Sequence, residues 1–299
     1  MFTYKGAIVA LVTPMEDDGN ISWEALYSLI DWQISSGISG IVVVGTTGES
    51  STIDVSEHIQ IIERCVEHID KRVPLIAGTG ANSTKEAIYL TNAAKEAGAD
   101  SVLLVTPYYN KPTQEGLYMH YSSIADKVDI NQILYNVTTR TACDILPSTV
   151  ARLASHENII GLKEASSDLL RLDLLIENLE QASIKDFLLF SGDDMTSCDF
   201  LKKGGHGTIS VTANLVPDLI VDLCDASISR KNNDKSKRIH QSLISLNKAL
   251  FVESNPIPIK RALSILGKIP SGIRLPLTQL DVKLEPELLL AMKELGLIK

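Results

Sequence analysis

The stretch NIIGLKEAS, residues 158–166, contains a lysine that could do covalent chemistry. Lys163 stands directly behind an apolar segment, residues 159–162. An ammonium group brought towards a dry interior must be paired or must lose its proton. Because a lysine that loses its proton near neutral pH is a nucleophile, this position makes Lys163 a candidate catalytic amine.

An amine at this position suits imine chemistry on a keto compound. The amine attacks the keto carbon, water leaves, and the protonated imine acts as an electron sink. Loss of an α-proton then gives an enamine, which can add to an aldehyde. The lysine needs its pKa brought from about 10.4 towards about 7–8, which burial and cationic neighbours can supply. A nearby tyrosine would move the protons, and Arg140 would hold a substrate carboxylate in a bidentate contact.

The same residue types also have simpler interpretations. Lys163 could be a structural ion-pair partner, because Glu164 stands next to it. Asp193 and Asp194 could ligate a metal, but no histidine lies near them, so a capping role is favoured. GTTGES at 45–50 lacks the lysine and the spacing of a phosphate-binding P-loop. Spacing alone leaves both the catalytic and the structural interpretation of Lys163 open.

Eight short apolar runs supply the elements that would position these residues. Buried strands give continuous apolar runs, and strands that alternate with helices imply a parallel sheet. The runs are expected to end near Thr13, Gly45, Thr79, Thr106, Asn136, Lys163, Gly192 and Val211. Eight such units favour an α/β protein with a (β/α)8 TIM barrel, and a doubly wound open sheet is the alternative.

Helical patterns separate the runs, for example at 83–98. Ser83 and Glu86 have capping-box spacing there, and Gly98 predicts the end of the helix. Residues from about 225 onward show only helical patterns. We therefore expect a catalytic barrel over residues 1–224 and a C-terminal helical region, residues 225–299, packed on the barrel.

In barrel enzymes the reacting groups lie at the C-terminal ends of the strands. Residues at the ends of six predicted strands would therefore converge on one mouth, together with an arginine just beyond the fifth strand. This set contains Thr46, Thr47, Tyr108, Tyr109, Tyr135, Arg140, Lys163, Gly192, Asp193 and Ile209.

The composition excludes some classes of partner. The 299 residues are 44% hydrophobic and 22% charged, with a formal net charge of −9. That charge argues against non-specific binding to nucleic acid or to an anionic membrane. The basic run RKNNDKSKR at 230–238 is interrupted by Asp234 and has no aromatic residues, so we expect a solvated loop or helix start.

Cysteine usage and apolar runs bear on the compartment. Four cysteines lie far apart, without a CxxC pair or a histidine at metal-ligand spacing: Cys65, Cys143, Cys198 and Cys224. This pattern is typical of free thiols in a reducing compartment rather than of a disulfide framework or a zinc site. No apolar run approaches membrane-spanning length, and the N-terminal segment is interpreted as a first strand. We expect a cytoplasmic protein without a metal.

Seven motifs, in this order along nearly the whole chain, resemble the dihydrodipicolinate synthase (4-hydroxy-tetrahydrodipicolinate synthase) family. They are GTTGES, TPYYNKPTQEGLY, YNVTTRTACD, GLKEAS, SGDD, GGHGTISVTAN and NPIPIK. The resemblance implies a pyruvate-dependent aldolase-type barrel that condenses pyruvate with aspartate 4-semialdehyde on the way to diaminopimelate and lysine. It also implies a homotetramer, a dimer of dimers, without an organic cofactor or metal.

The resemblance assigns roles residue by residue. Lys163 would form the imine with pyruvate, and Tyr135 would transfer protons. Thr46 would link Tyr135 to Tyr109, which in this family reaches into the neighbouring subunit's site. The remaining matches are substrate-binding residues: Thr47 for the pyruvate carboxylate, Arg140 for the semialdehyde carboxylate, and Gly192 and Ile209 lining the pocket.

Two positions depart from the family pattern. The family usually has a proline after YNV and a glycine after RT, where this chain has Thr138 and Ala142. Both changes alter the backbone freedom of the loop that presents Arg140. N-acetylneuraminate lyase, or another 2-keto acid aldolase, is the alternative within the family, but lyases of that kind read GSTGE and lack the arginine.

Many family members are inhibited by lysine at a dimer interface, and six residues match that allosteric site. They are Ser50, Ser51, His58, Asn82, Glu86 and Tyr108. We therefore hypothesise feedback inhibition. Taken alone, His58 would be interpreted as a solvated histidine on a helix. A second hypothesis for the whole chain is a non-catalytic small-molecule-binding barrel. It is disfavoured because no member of the catalytic set has been lost.

Overall fold

A computed structural model describes residues 4–229 and 233–299. Its eight strands are β1 (Gly6–Ala10), β2 (Gly40–Val43), β3 (Leu75–Gly78), β4 (Ser101–Val105), β5 (Asn131–Asn136), β6 (Ile159–Glu164), β7 (Leu188–Ser191) and β8 (Gly207–Ser210). All eight predicted runs form strands. The largest difference is in β1, which was expected to end near Thr13 and ends at Ala10.

The strands close into one parallel barrel in chain order, with β8 returning to β1. The closing pairs include Gly6 with Gly207 and Ile8 with Ile209. The prediction of a (β/α)8 barrel is confirmed, and the open-sheet alternative is wrong because a closed barrel has no free sheet edge.

Within residues 4–229 and 233–299, twelve helices surround or extend the barrel. They are α1 (Trp23–Ser35), α2 (Val55–Ile69), α3 (Thr84–Ala97), α4 (Gln114–Lys127), α5 (Thr138–Thr141), α6 (Pro147–Leu153), α7 (Leu169–Gln181), α8 (Ser197–Lys202), α9 (Pro217–Ile228), α10 (Asn233–Ala249), α11 (Ile257–Ile265) and α12 (Glu285–Glu294). Two single turns of 3₁₀ helix, Ser50–Thr52 and Thr212–Asn214, follow β2 and β8. None of the helices in the described ranges is long and apolar enough to cross a membrane.

Local capping agrees with the sequence signals at α3. The Ser83 hydroxyl accepts a hydrogen bond from the Glu86 amide, which satisfies one of the free amides of the first turn. Gly98 ends the helix in the left-handed conformation, with φ 94°. Glycine is favoured there because a side chain would be strained at positive φ.

The C-terminal region packs on the barrel. Helix α10 packs against α9 and α12, and α11 packs against the turn after β8. The expected boundary at residues 224 and 225 falls inside α9, the helix that follows the eighth strand. Within the basic run, residues 230–232 lie outside the described residues, and residues 233–238 form the start of α10.

Among the residues that the structure describes, the buried apolar side chains form two groups, one inside the barrel and one between the strands and the helices. The interior group consists of Tyr4, Ile8, Ala10, Val42, Ile76, Leu103, Ile133, Tyr135, Val137, Phe190 and Ile209. Successive strand residues point to opposite faces, so β1, for example, contributes Ile8 and Ala10 to the interior group and Ala7 and Val9 to the other. The barrel is therefore a packed core whose upper end carries Tyr135.

Candidate active site

Lys163 lies near the end of β6 with its side chain almost completely buried, 5% exposed. Its ammonium group lies 4.4 Å from the centre of the Tyr135 ring, because the two residues are paired across β5 and β6. No hydrogen bond or ion pair reaches this ammonium from the described part of the chain. Burial lowers the pKa of Lys163 to about 8, with the Asp194 charge opposing the shift and the Arg140 charge adding to it. More of the amine is then unprotonated at pH 7 than in an ordinary lysine.

The neighbouring carboxylate does not pair with Lys163. Glu164 points to the other face of the strand, where it accepts a hydrogen bond of 2.5 Å from Arg171 Nε. The same carboxylate accepts bonds from the side chain of Asn136 and the amide of Ser166. The structural ion-pair interpretation of Lys163 through Glu164 is therefore wrong, for the elementary reason that adjacent strand residues face opposite ways.

Tyr135 and Thr46 meet beside the amine. Both residues line one small cavity, and burial raises the pKa of Tyr135, against the lowering effects of the nearby Arg140 guanidinium and Thr46 hydroxyl. A phenol with a raised pKa stays protonated at neutral pH, so it can donate a proton and then take it back. The pair therefore supplies the proton-transfer group that imine chemistry needs.

Tyr109 is not brought to this group within one chain. It lies on the loop after β4 in the left-handed conformation, with φ 73°, and its side chain is 91% exposed. A large aromatic side chain that points into solvent loses the favourable burial that its surface could provide. Its position fits the expectation that it acts in another subunit, and it leaves the single-chain site without a second phenol.

The backbone after β2 turns sharply to present Thr46 and Thr47. Val44 has φ 46°, a strained conformation for a β-branched residue, and is fully buried. Its carbonyl oxygen packs on Gly78, where an added Cβ would lie only 2.4 Å away. The glycine thus makes room for the turn, and the turn directs the two threonines towards the barrel mouth.

Thr47 and Arg140 are both held by one residue that the sequence did not single out. The side-chain amide of Asn255 donates to Thr47 Oγ1 at 2.9 Å. The backbone carbonyl of the same residue accepts a hydrogen bond from Arg140 Nη2 at 3.0 Å. Asn255 occurs in the NPIPIK motif, so the signal was present, but nothing in the sequence indicated its partners.

A second unforeseen contact anchors the same loop. Glu49, fully buried, forms an ion pair with Lys260 of α11, and its other oxygen accepts from the Arg274 amide at 3.2 Å. The Arg274 guanidinium binds Glu57 on α2. The loop 45–54 is therefore fixed from the C-terminal region, which positions Thr47.

Gly192 and Ile209 lie beside and beneath Lys163, and Gly192 is required there because the space is narrow. A Cβ on Gly192 would lie 2.8 Å from Lys163 Cε and 2.8 Å from Ala165 Cβ. Only glycine therefore leaves room for the stem of the lysine. Ile209 is completely buried in the interior group under the mouth.

The two aspartates after β7 act within the fold. Asp193 accepts hydrogen bonds from the amide and hydroxyl of Thr196, the residue before α8, so it closes the turn that leads into this helix and does not cap it as expected. Asp194 accepts bonds from the amides of Val211 and Thr212, joining the ends of β7 and β8. Across residues 4–229 and 233–299, no three histidine, cysteine, aspartate or glutamate side chains are grouped as metal ligands would be.

One cavity of about 330 Å³ lies beside the mouth. Its lining includes Thr46 and Arg140 from the catalytic side and most of the residues matched to an allosteric site. Those matched residues are Ser50, Ser51, His58, Glu86 and Tyr108. Asn82 adjoins them, since its side chain donates to the Tyr108 carbonyl at 3.2 Å.

His58 is not the solvated histidine that its helix alone suggested. It is buried, and its Nε2 lies 2.7 Å from the Gly78 carbonyl. Burial lowers the pKa of His58, so the ring is neutral at pH 7. A neutral ring held in this way shapes the cavity wall rather than adding charge to it.

A model of the dihydrodipicolinate synthetase family matches residues 3–295. This chain belongs to the dihydrodipicolinate synthetase family. The 4-hydroxy-tetrahydrodipicolinate synthase of Pseudomonas savastanoi pv. phaseolicola is 54% identical over 293 residues, 98% of this chain and 99% of that relative.

Solved structures of the family have the same fold. The chloride-inhibited dihydrodipicolinate synthase of Acinetobacter baumannii, complexed with pyruvate, is 48% identical with a TM-score of 0.95, over 99% of this chain and 100% of that one. The enzyme of Cyanidioschyzon merolae, solved with lysine bound, is 35% identical with a TM-score of 0.95, over 100% of both chains. The predicted family is confirmed.

The two departures from the dihydrodipicolinate synthetase pattern lie at the ends of α5, the short helix that carries Arg140. Ala142 has φ 53°, in the left-handed region where glycine is favoured. Thr138 is the first residue of the helix, where proline is well accepted because the amide has no partner within the helix. The alanine therefore strains the loop, while the threonine only lacks the pre-set φ of proline.

Proposed function

We propose that this protein condenses pyruvate with L-aspartate 4-semialdehyde to give 4-hydroxy-tetrahydrodipicolinate, in the biosynthesis of diaminopimelate and lysine. One observation supports this most directly. Lys163 is a buried amine without an ion-pair partner in the described structure, its pKa is lowered to about 8, and it faces the Tyr135 ring at 4.4 Å.

The chemistry follows from these groups. The Lys163 amine attacks the keto carbon of pyruvate, and the phenol of Tyr135 supplies the protons that let the oxygen leave as water. Loss of a methyl proton from the imine gives an enamine, which adds to the aldehyde carbon. The amino group of the semialdehyde portion then attacks the imine carbon, closes the ring and releases Lys163. Thr47 holds the pyruvate carboxylate, and Arg140 holds the semialdehyde carboxylate.

The imine itself is the electron sink, so the proposal includes neither an organic cofactor nor a metal. A cytoplasmic location belongs to the same proposal. It is supported by four buried free cysteines, which suit a reducing compartment.

The active assembly is proposed to be a homotetramer, a dimer of dimers. The dimer is the smallest unit that should be catalytically active. The support is the exposed phenol of Tyr109, which would complete the Tyr135–Thr46 relay of a neighbouring copy. Sedimentation at assay concentration tests this. A fully active monomer would contradict it.

Lysine is the proposed inhibitor, bound by Ser50, Ser51, His58, Asn82, Glu86 and Tyr108. The Glu86 carboxylate suits an ammonium group, and the cavity is continuous with Thr46 and Arg140 at the mouth. Millimolar lysine should lower the initial rate of the wild-type protein. The initial rate of Glu86→Gln should not change with lysine. Lys85→Gln, a change of the exposed neighbour, is the control and should stay sensitive. Unchanged wild-type rates would contradict the site.

The alternatives are not favoured. A sugar-acid lyase would not need the arginine at position 140, and the curated relatives of this chain bear the synthase name. A non-catalytic barrel would have no reason to keep Lys163, Tyr135 and Thr46 in contact.

The direct test is to mix the protein with pyruvate, reduce with borohydride and map the mass increase. A pyruvyl adduct on Lys163, together with turnover of L-aspartate 4-semialdehyde, is the expected result. Tyr135→Phe should still bind pyruvate but turn over about 10²–10⁴-fold more slowly, the usual contribution of a proton-transfer group. A correctly folded protein without the adduct would contradict the proposal.

A further inference from the structure

Asn255 lies where the C-terminal region meets the barrel mouth. Its side chain is 5% exposed and lines the cavity beside Thr46 and Arg140. Its amide nitrogen donates to Thr47 Oγ1 at 2.9 Å, and its backbone carbonyl holds Arg140 at 3.0 Å. One residue thus contacts both side chains to which carboxylate binding has been assigned.

The direction of the Asn255–Thr47 bond decides what Thr47 can do. A threonine hydroxyl has one hydrogen and can donate only once, while its oxygen can also accept. Because Asn255 donates, Thr47 accepts from it and keeps its single hydrogen for another acceptor. A carboxylate is an acceptor only, so this is the orientation in which Thr47 can bind one.

The same orientation leaves a cost at Asn255. Its amide oxygen is buried without a hydrogen-bond partner in the described structure. An unpaired buried acceptor costs free energy, and native structures contain few of them. A residue selected for packing alone would not need this orphaned oxygen.

The C-terminal region also fixes the loop in which Thr47 stands. Lys260, five residues after Asn255, is ion-paired with Glu49, two residues after Thr47. With both ends of the contact anchored, the Asn255 amide has little freedom to turn away from Thr47.

We infer that Asn255 is a positioning residue for the catalysed reaction, which orients the Thr47 hydroxyl so that its proton points to the substrate carboxylate. This inference rests on the proposed function, because the carboxylate is taken to be that of pyruvate. The C-terminal region then contributes to substrate binding through the Asn255–Thr47 bond.

The variants Asn255→Asp and Asn255→Ala distinguish a role in orienting the Thr47 hydroxyl from a role in packing alone. Aspartate has the shape of asparagine, but its carboxylate only accepts, so Thr47 would donate to it and lose its free hydrogen. We expect the half-saturating pyruvate concentration for borohydride trapping to rise about tenfold or more in Asn255→Asp. The rise should be smaller in Asn255→Ala, and the adduct yield at saturation should be kept in both.

A role in packing alone predicts the reverse order, because alanine leaves a void and aspartate does not. That order, or a half-saturating concentration for Asn255→Asp equal to that of wild type, would overturn the inference. Asn158→Asp is the matched control. Its side-chain amide also donates to an oxygen, the Ala125 carbonyl at 3.2 Å, but it stands before β6 at the opposite end of the barrel.

A double-mutant cycle tests whether Asn255 acts through Thr47. Once Thr47→Val has removed the hydroxyl, adding Asn255→Asp should weaken pyruvate binding much less than it does in wild type. Fully additive effects would overturn the inference. If wild type itself formed no adduct with pyruvate, the proposed function would fail instead, so the two failures are distinguishable.

Discussion

Two lysines in the described part of the chain are almost completely buried, Lys163 inside the barrel mouth and Lys260 on α11, at 5% and 3% exposure. Burial lowers the pKa of both amines. Lys260 meets the buried carboxylate of Glu49, which opposes that shift, whereas Lys163 faces the ring of Tyr135 and has no such partner in the described structure. Burial alone therefore does not make a nucleophile. The absence of a paired carboxylate leaves one amine available for chemistry, and its presence makes the other a structural anchor.

The largest expected difference between the two is in catalysis. Lys163→Met keeps the length of the side chain but removes the amine, so imine formation should be lost and the rate should fall by roughly 10³–10⁶-fold. Borohydride trapping and steady-state assays measure this. Stability to urea should not fall, because no ion pair is broken. Activity close to that of wild type would contradict the assignment of Lys163.

The next difference is in stability. Lys260→Met leaves the Glu49 charge buried without its partner, which should cost about 3–5 kcal/mol of unfolding free energy. Urea unfolding measures the loss. The double variant Lys260→Met with Glu49→Gln removes both charges and should recover most of it. If Lys260→Met were as stable as Lys163→Met, the contrast between the two lysines would be wrong.

The protonation of Lys163 also links stability to pH. Its pKa is about 8 in the folded protein against 10.5 for an ordinary lysine, so between these values the unfolded chain binds more protons. The free energy of unfolding should therefore rise with pH across this window. The free energy of unfolding of Lys163→Met, measured over the same pH range, is subtracted to remove the contributions of the other titrating groups. A flat difference from pH 8 to pH 10.5 would show that the folded-state pKa is not lowered.

The smallest expected effect is on the loop that carries Arg140. This loop joins the barrel mouth to the C-terminal region, because Arg140 on α5 donates to the backbone carbonyl of Asn255. Ala142→Gly should remove the strain of an alanine in the left-handed conformation, which costs the folded protein about 1–2 kcal/mol. Glycine also gives the unfolded chain more conformational freedom, which lowers the free energy of unfolding by about 0.4–1 kcal/mol. Thermal unfolding should show a net gain of up to about 1.6 kcal/mol. Ala97→Gly is the control: it lies at φ below zero in α3 and should lose stability. A loss in Ala142→Gly as well would contradict the strain at this residue.

Much of the site could be predicted from the sequence because it depends on strand ends. Lys163, Tyr135 and Thr46 follow apolar runs, and parallel strands in a barrel bring their ends together whatever their distance along the chain. Asn255, Glu49 and Lys260 were missed as site residues although each lies in a quoted motif. Their roles depend on hydrogen bonds across more than 200 residues of sequence, 208 between Asn255 and Thr47 and 211 between Lys260 and Glu49.

The sequence by itself determined the alternation of strands and helices, the barrel and the placing of a lysine at the end of β6, because these follow from local apolar periodicity and from turn residues. It could not decide which buried lysine is paired. That was decided by the tertiary structure, since Glu164 turns to the outer face of β6 and Glu49 is carried to α11. Whether an amine keeps its proton depends on what surrounds it in space, and that environment exists only once the chain has folded.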